Sequence, residues 1–449
     1  MAKRLVVIGG TAAGLSAASK AKRSYPELDV TVFERTCYTS YGACGLPYFV
    51  GGLVAEPEDL ITLNVEQLAR RGIDTHVRHE VQKIDRERKC VEVVRLTDGR
   101  VFEAPYDILV LATGAKPLVP DIQGHDLKGV HSLRTVEDGI MLRSIVRESK
   151  RAVVIGGGFI GLEVAEQLRE TGLHVEVVEL ENRLLPMLEE SNSQMVKDAL
   201  ESHGVVVHTG ASATEILGTD GFVHGVKLAN GEEISADLVL LSIGVSPETS
   251  LAAQCGLELG PKGAIKVDAH QRTSDPDIYA CGDCCHSFHT LTGKPVYVPL
   301  GTTANKQGRV AGENIVGNPA TSPGVLGSLV TKVFNLTVAA TGLGEAQAKR
   351  EGFDAVSCTI VKSDRASYYP GGIDTRMTLV FERKGGRLLG AQALGGPTAA
   401  GRVNVLVAAI AAGMTVQQLG ELDLVYSPSV APVYDPILIA ASQALKLVQ

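Results

Sequence analysis

Residues 151–179 read RAVVIGGGFIGLEVAEQLRETGLHVEVVE. A short apolar run, Ala152–Ile155, reads as a strand that ends in the glycines Gly156, Gly158 and Gly161. LEVAEQLRETG then has the apolar spacing of a helix, and HVEVVE is a second strand that ends on Glu179. Strand, glycine turn, helix and strand form one unit of a doubly wound parallel sheet. Gly156 permits the tight turn, Gly158 lets a pyrophosphate approach the backbone, and Gly161 lets helix and strand pack closely. The helix start offers free N–H groups to phosphate oxygens, and the final acid can bond ribose hydroxyls.

The same pattern stands at the start of the chain. RLVVIG (4–9) runs into Gly9-Gly10-Thr11-Ala12-Ala13-Gly14, then an Ala-rich helix, LSAASKAKRSY, then DVTVFE, which ends at Glu34. Gly9 and Gly14 take the outer glycine roles, and Thr11 stands at the middle one. The predicted fold class is α/β, with two Rossmann-like nucleotide-binding domains. Two units predict two dinucleotides, flavin adenine dinucleotide (FAD) and a nicotinamide. Glu179 repels a 2′-phosphate, and Leu180-Glu181-Asn182 holds no arginine to bind one. The nicotinamide is therefore expected to be NADH rather than NADPH.

Composition narrows the class. At 449 residues the chain can bury two or three cores. A net charge of −8 without a basic tail argues against nucleic acid as a partner. MAKRLVVIGG has too short an apolar run for a signal peptide and reads as the first strand of a cytoplasmic protein. No apolar run is long enough for a membrane span. The eight cysteines lack a secreted-scaffold pattern. Cys281-Gly-Asp-Cys284-Cys285 contains a CxxC but no second ligand pair at zinc spacing, so no metal site is expected.

Further stretches tie the first unit to a flavin. LVLATGAKP (109–117) is a strand ending in Ala112-Thr113-Gly114. TSDPDIYACGD (273–283) delivers Asp283, whose carboxylate can bond ribityl hydroxyls, and SIGVSPE (242–248) marks a crossing between domains. Together with the two glycine loops, these motifs resemble the pyridine nucleotide-disulfide oxidoreductases over essentially the whole chain. The C-x4-C pair of that family's glutathione reductase class is absent, because Phe49 stands five residues after Cys44. A single cysteine in SYGACGLPY (40–48), with PLGTTANKQGRVAGENI (299–315), is similar to the branch of coenzyme A-disulfide reductases, NADH oxidases and peroxidases, and persulfide or polysulfide reductases. Its peroxidases and water-forming oxidases place a histidine in the first glycine loop; Ala12 stands at that position here.

Cys44 precedes a short helix start, which is expected to lower its pKa. Cys37 is too close in sequence for an easy internal disulfide, so the sulfur partner is expected to be a small bound thiol. Lys20, Lys22 and Arg23, with Arg70 and Arg71, are cations suited to phosphates, or simply a solvated face.

The resemblance implies the rest. Coenzyme A would be the thiol, held at Ser16, Lys20, Arg23, Ser40, Arg71, Asn305, Tyr426 and Tyr434, although Lys20 and Ala43 depart from the pattern. FAD contacts are implied at Gly9, Thr11, Ala12, Ala13, Gly14, Glu34, Arg35, Val81 and Ala112. They continue at Thr113, Gly114, Arg134, Asp283, Gly301, Thr302 and Ala304. NADH contacts are implied at Gly156, Gly158, Phe159, Ile160, Gly161, Glu163, Glu179 and Gly244. Catalysis is assigned to Cys44, Tyr368 and Tyr426, with Tyr369 as the alternative to Tyr368, and the tyrosines reach across a homodimer.

The FAD domain is expected at 1–115 and 247–325, the NADH domain at 116–246 and the C-terminal α+β dimerisation domain at 326–449. In the last, GSLVTKVFNLTVAATG, TRMTLVFE and LLGAQALGG read as antiparallel strands, and GRVNVLVAAIAAGMTVQQL as one helix. No appended sulfur-transfer domain is expected. Three activities stay open: reduction of coenzyme A disulfide or persulfide/polysulfide, reduction of oxygen, and reduction of a small electron-transfer protein.

Overall fold

The computed structural model describes residues 3–449. Two five-stranded parallel sheets form its two nucleotide-binding halves. The first runs, in spatial order, Asp74–Val77, Asp29–Glu34, Arg4–Ile8, Ile108–Leu111, Ile278–Ala280. The second runs Val206–Thr209, His174–Glu179, Arg151–Ile155, Leu238–Leu241, Val130–His131. In each, the strand before the glycine loop is central. Leu5, Val6, Val7, Ala152, Val153 and Val154 are all buried, as expected of parallel strands covered on both faces. Each half also carries a three-stranded antiparallel meander, at 79–105 and 213–235. Ala115–Pro117 pairs with Val245–Pro247 where the chain crosses between the halves.

The C-terminal sheet is antiparallel, in the order Leu329–Val333, Leu336–Gly342, Leu388–Gly395, Asp374–Glu382, Ala355–Ser363. Ala355–Ser363 is an edge strand whose Ser, Thr and Lys positions hide it from an apolar-pattern reading. The single helix expected over 401–419 is two: Thr398–Ala411, then Val416–Gly420. Gly413, at φ +69°, ends the first, and the Thr415 side chain caps the second by accepting from the Gln418 N–H. Among the described residues, no helix is long and apolar enough to cross a membrane.

Both tyrosine-bearing segments lack regular structure and are held by one buried ion pair. Arg402 and Asp435 have side chains only 7% and 9% exposed. Arg402 Nη2 donates to Asp435 Oδ2 at 2.8 Å and to the Asp364 carbonyl at 3.0 Å, and Nη1 donates to Thr398 Oγ1 at 2.7 Å. Asp364 lies just before Tyr368, and Asp435 directly follows Tyr434. Arg402→Ala leaves the Asp435 charge buried and alone, and is expected to cost about 3–5 kcal/mol in urea unfolding; a loss under about 1 kcal/mol would show that the pair does not hold this region.

Candidate active site

Both glycine loops open onto one cavity of about 2130 Å³. Single-ligand pockets measure roughly 300–1,000 Å³, so this one has room for more than one ligand.

The two loops are built alike. Gly9 and Gly156 sit at φ +107° and +111°, a conformation only glycine adopts without strain. A Cβ on Gly14 would stand 2.0 Å from the Gly9 carbonyl, and one on Gly161 would stand 2.1 Å from that of Gly156. Both helices therefore ride directly on their strands. Glu34 Oε2 accepts the Gly10 N–H at 2.8 Å, and Glu179 Oε2 accepts that of Gly157 at 2.6 Å. The other oxygens accept from the N–H groups of Thr36 and Glu181. Each acid is thus locked in place where a ribose hydroxyl would arrive. A Cβ on Gly158 would meet nothing within 4 Å, which leaves free approach to the second loop. These features fit dinucleotides in both halves.

The predicted residues converge on this cavity. Gly9, Thr11, Ala12, Ala13, Glu34 and Arg35 line it, with Val81, Ala112, Thr113 and Gly114. So do Arg134, Asp283, Gly301, Thr302 and Ala304. From the second half come Gly156, Gly158, Phe159, Ile160, Glu163, Glu179 and Gly244. Gly14 and Gly161 act from behind the wall. Asp283 Oδ2 also accepts from Arg134 Nη2 at 2.8 Å, so the carboxylate is oriented by a cation. Cys44 lines the cavity in a 3₁₀ turn, Ala43–Gly45, ahead of the short helix Leu46–Val50.

The model for pyridine nucleotide-disulphide oxidoreductases matches residues 3–308, and that for their dimerisation domain matches 329–435. The chain belongs to this family. It is 38% identical over 447 residues to an NAD(P)H coenzyme A polysulfide/persulfide reductase of Pyrococcus horikoshii, covering 98% of each chain. It is 35% identical to an NADH oxidase of Methanocaldococcus jannaschii, covering 99% of each. The structure of an NAD-dependent persulfide reductase from A. fulgidus superposes with a TM-score of 0.96 at 41% identity, covering 99% of this chain and 83% of that one. The family implies FAD and NAD(P)H, and the two loops fit them.

Of the residues expected to hold a coenzyme A thiol, some stand on the cavity wall and some do not. Ser16, Arg23, Ser40 and Asn305 line the cavity, and Ser16 Oγ donates to Asn305 Oδ1 at 2.7 Å. Lys20 instead pairs with Glu313 at 2.5 Å, off the cavity wall. Arg71 is exposed and does not line the wall either. Ser19, Lys306 and Arg309 do line it and were not anticipated. For Lys306 and Arg309 the signal was available, because Arg309 stands three and four residues after Lys306 and Asn305 on the helix Gly301–Ile315.

Tyr368 and Tyr426 meet each other, hydroxyl to hydroxyl, at 3.2 Å, but not the cavity of their own chain. Tyr368 is 74% exposed, and Tyr369, Ile373, Val425, Val430, Val433 and Tyr434 are exposed as well.

The lowered thiol pKa expected for Cys44 is not found. The pKa is raised, first by burial of the sulfur among its neighbours and then by the charges of Glu163 and Asp283, while Arg134 pulls it down. The helix after it has only five residues, Leu46–Val50, and its dipole is correspondingly weak. Cys37 does not pair with Cys44; its sulfur accepts from Arg78 Nε at 3.1 Å. Cys281, Cys284 and Cys285 are buried, and the last two donate to backbone carbonyls.

Glu163→Gln removes one of the charges that raise the Cys44 pKa. The midpoint of Cys44 alkylation against pH, read by mass spectrometry of its peptide, should move down by about half to one unit. An upward or absent shift would show that Glu163 does not act on this thiol.

Proposed function

We propose that this chain is an NADH-dependent reductase of coenzyme A disulfide, or of coenzyme A persulfide or polysulfide, that works through Cys44. The observation that carries the reading is the position of Cys44. Among the described residues it is the one cysteine that counts as exposed, although its sulfur is partly shielded by its neighbours, and it lies in the wall shared by both dinucleotide loops. A lone sulfur there needs a partner from outside the chain. The polar and cationic arm of Ser16, Arg23, Lys306 and Arg309 suits the phosphates of coenzyme A.

The Cys44 thiolate attacks one sulfur of the substrate. With coenzyme A disulfide or persulfide, that S–S bond breaks, a Cys44–coenzyme A disulfide forms, and coenzyme A thiolate or hydrosulfide leaves; with inorganic polysulfide, a Cys44 persulfide forms and the shortened polysulfide leaves. Tyr368 and Tyr426 supply the proton or hydrogen bonds to the leaving sulfur, reaching Cys44 of a second copy across the dimer. Their exposure at an apolar, unpaired face of the dimerisation domain supports that role. FAD, when bound, would supply the two-electron relay from NADH that reduces the sulfur–sulfur bond at Cys44, releasing coenzyme A or hydrosulfide and returning Cys44 to the thiolate. Glu163 and Phe159 hold and shield the nicotinamide end, and Glu179 holds the adenosine end.

Oxygen reduction is the second reading, favoured by the relative named an NADH oxidase. Ala12 offers no proton donor in the first loop for that chemistry.

Anaerobic NADH oxidation with coenzyme A disulfide, coenzyme A persulfide or polysulfide should be fast in the native protein and lost in Cys44→Ser. Turnover that survives Cys44→Ser, or that needs oxygen, would overturn the thiol reading. NADH should exceed NADPH in kcat/KM by at least about tenfold, and Glu179→Ala should shrink that ratio by a comparable factor. Equal use of both cofactors by the native protein would refute the preference.

A further inference from the structure

The strand Leu329–Val333 alternates in burial, with Thr331 and Val333 facing in. Inward strand positions are ordinarily filled by apolar β-branched residues, and valine has the shape of threonine without its hydroxyl. Thr331 is 4% exposed, so its hydroxyl needs an acceptor. The acceptor comes from the nicotinamide half: Thr331 Oγ1 donates to Glu163 Oε1 at 2.9 Å. Among the described residues, Glu163 Oε2 has no hydrogen-bond partner. Glu163 lies one turn after Phe159 and lines the cavity together with Phe159 and Cys44.

The rest of this helix, Phe159–Glu170, is gripped from both sides. Glu166 is 4% exposed; its Oε1 accepts from Lys332 Nζ and its Oε2 from the Phe334 N–H, both at 2.7 Å. The Phe334 ring stacks on His203 with centroids 4.0 Å apart. On the opposite flank the helix after Cys44 packs so closely that a Cβ on Gly51 would stand 2.4 Å from Gln167 Oε1. The helix body is thus immobilised by Glu166 and Gln167. The carboxylate of Glu163 is aimed by Thr331 alone.

We propose that Thr331 is a positioning residue for hydride transfer. Its hydroxyl fixes the Glu163 carboxylate, whose free oxygen then accepts from the carboxamide N–H of the nicotinamide and sets the ring plane beside Phe159. This rests on the reading of the second loop as the NADH site. The first strand of the dimerisation domain thereby acts on a reaction centre to which it contributes no reacting group. A carboxylate free to swing still binds the carboxamide, but in several poses, so the cost falls on the rate and not on affinity.

The test uses the FAD-loaded protein with Thr331→Val, which removes the donor, and Thr331→Ser, which keeps it. Anaerobic flavin bleaching by NADH is followed by stopped flow, and amide exchange is measured on peptides covering 159–166. Thr331→Val should lower the limiting bleaching rate by about tenfold or more, leave the NADH dissociation constant within about threefold, and raise exchange in the first turn. Thr331→Ser should restore both rate and exchange. A native rate in Thr331→Val overturns the proposal, and so does a Thr331→Ser protein as slow as Thr331→Val, which would make the residue a packing group. If NADH fails to bleach the native protein, the NADH reading itself falls, and that failure is visible before any variant is compared.

Discussion

Two hydrogen bonds, from the Gly10 N–H to Glu34 and from the Gly157 N–H to Glu179, underlie the whole arrangement. Each ties a glycine loop to the end of the neighbouring strand. That bond holds the loop against the strand end, and the helix that follows starts at the cavity. Because each carboxylate also receives a second N–H, its orientation is set before any ribose arrives. The cost of ordering the site is met during folding, and little remains to be met on binding. The same device occurs twice, in sheets that share the order of four strands and differ in the fifth, and both loops open onto one cavity.

Cys44 depends on that frame through packing. Leu46, Phe49 and Val50, directly after Cys44, are buried in the same core cluster as Leu162, Val164 and Ala165 of the nicotinamide helix. Val333 and Phe334 of the dimerisation domain complete that cluster. The thiol, the nicotinamide loop and the first strand of the C-terminal sheet therefore share one close-packed core, and a shift in any one is felt by the others.

Charge works against the thiolate in this setting. Glu163 and Asp283 both disfavour ionisation of Cys44, and Arg134, paired to Asp283, offsets them in part. A short helix and a single guanidinium do not overcome burial. A thiolate at this position needs stabilisation beyond Arg134, from a group bound in the cavity.

The glycine spacing, the two terminal acids and the ATG and GD strand ends were enough to specify the doubly wound halves and most of the cavity wall. These features are local: a φ near +110°, a helix start and a strand-end carboxylate are each encoded within a few residues. What was not legible was combinatorial. Nothing around residue 20 says that Glu313, far along the chain, pairs with Lys20 off the cavity wall. Nor does the neighbourhood of Cys44 show that Glu163 and Asp283 converge on it, because desolvation and charge depend on what is brought near. The edge strand Ala355–Ser363 is defined by its hydrogen bonds to Asp374–Glu382, a partner its own pattern does not announce. The amino-acid sequence by itself determined which chemistry the chain can hold. The tertiary structure alone decided which charges face the sulfur and which tyrosines stay exposed, since both follow from long-range packing.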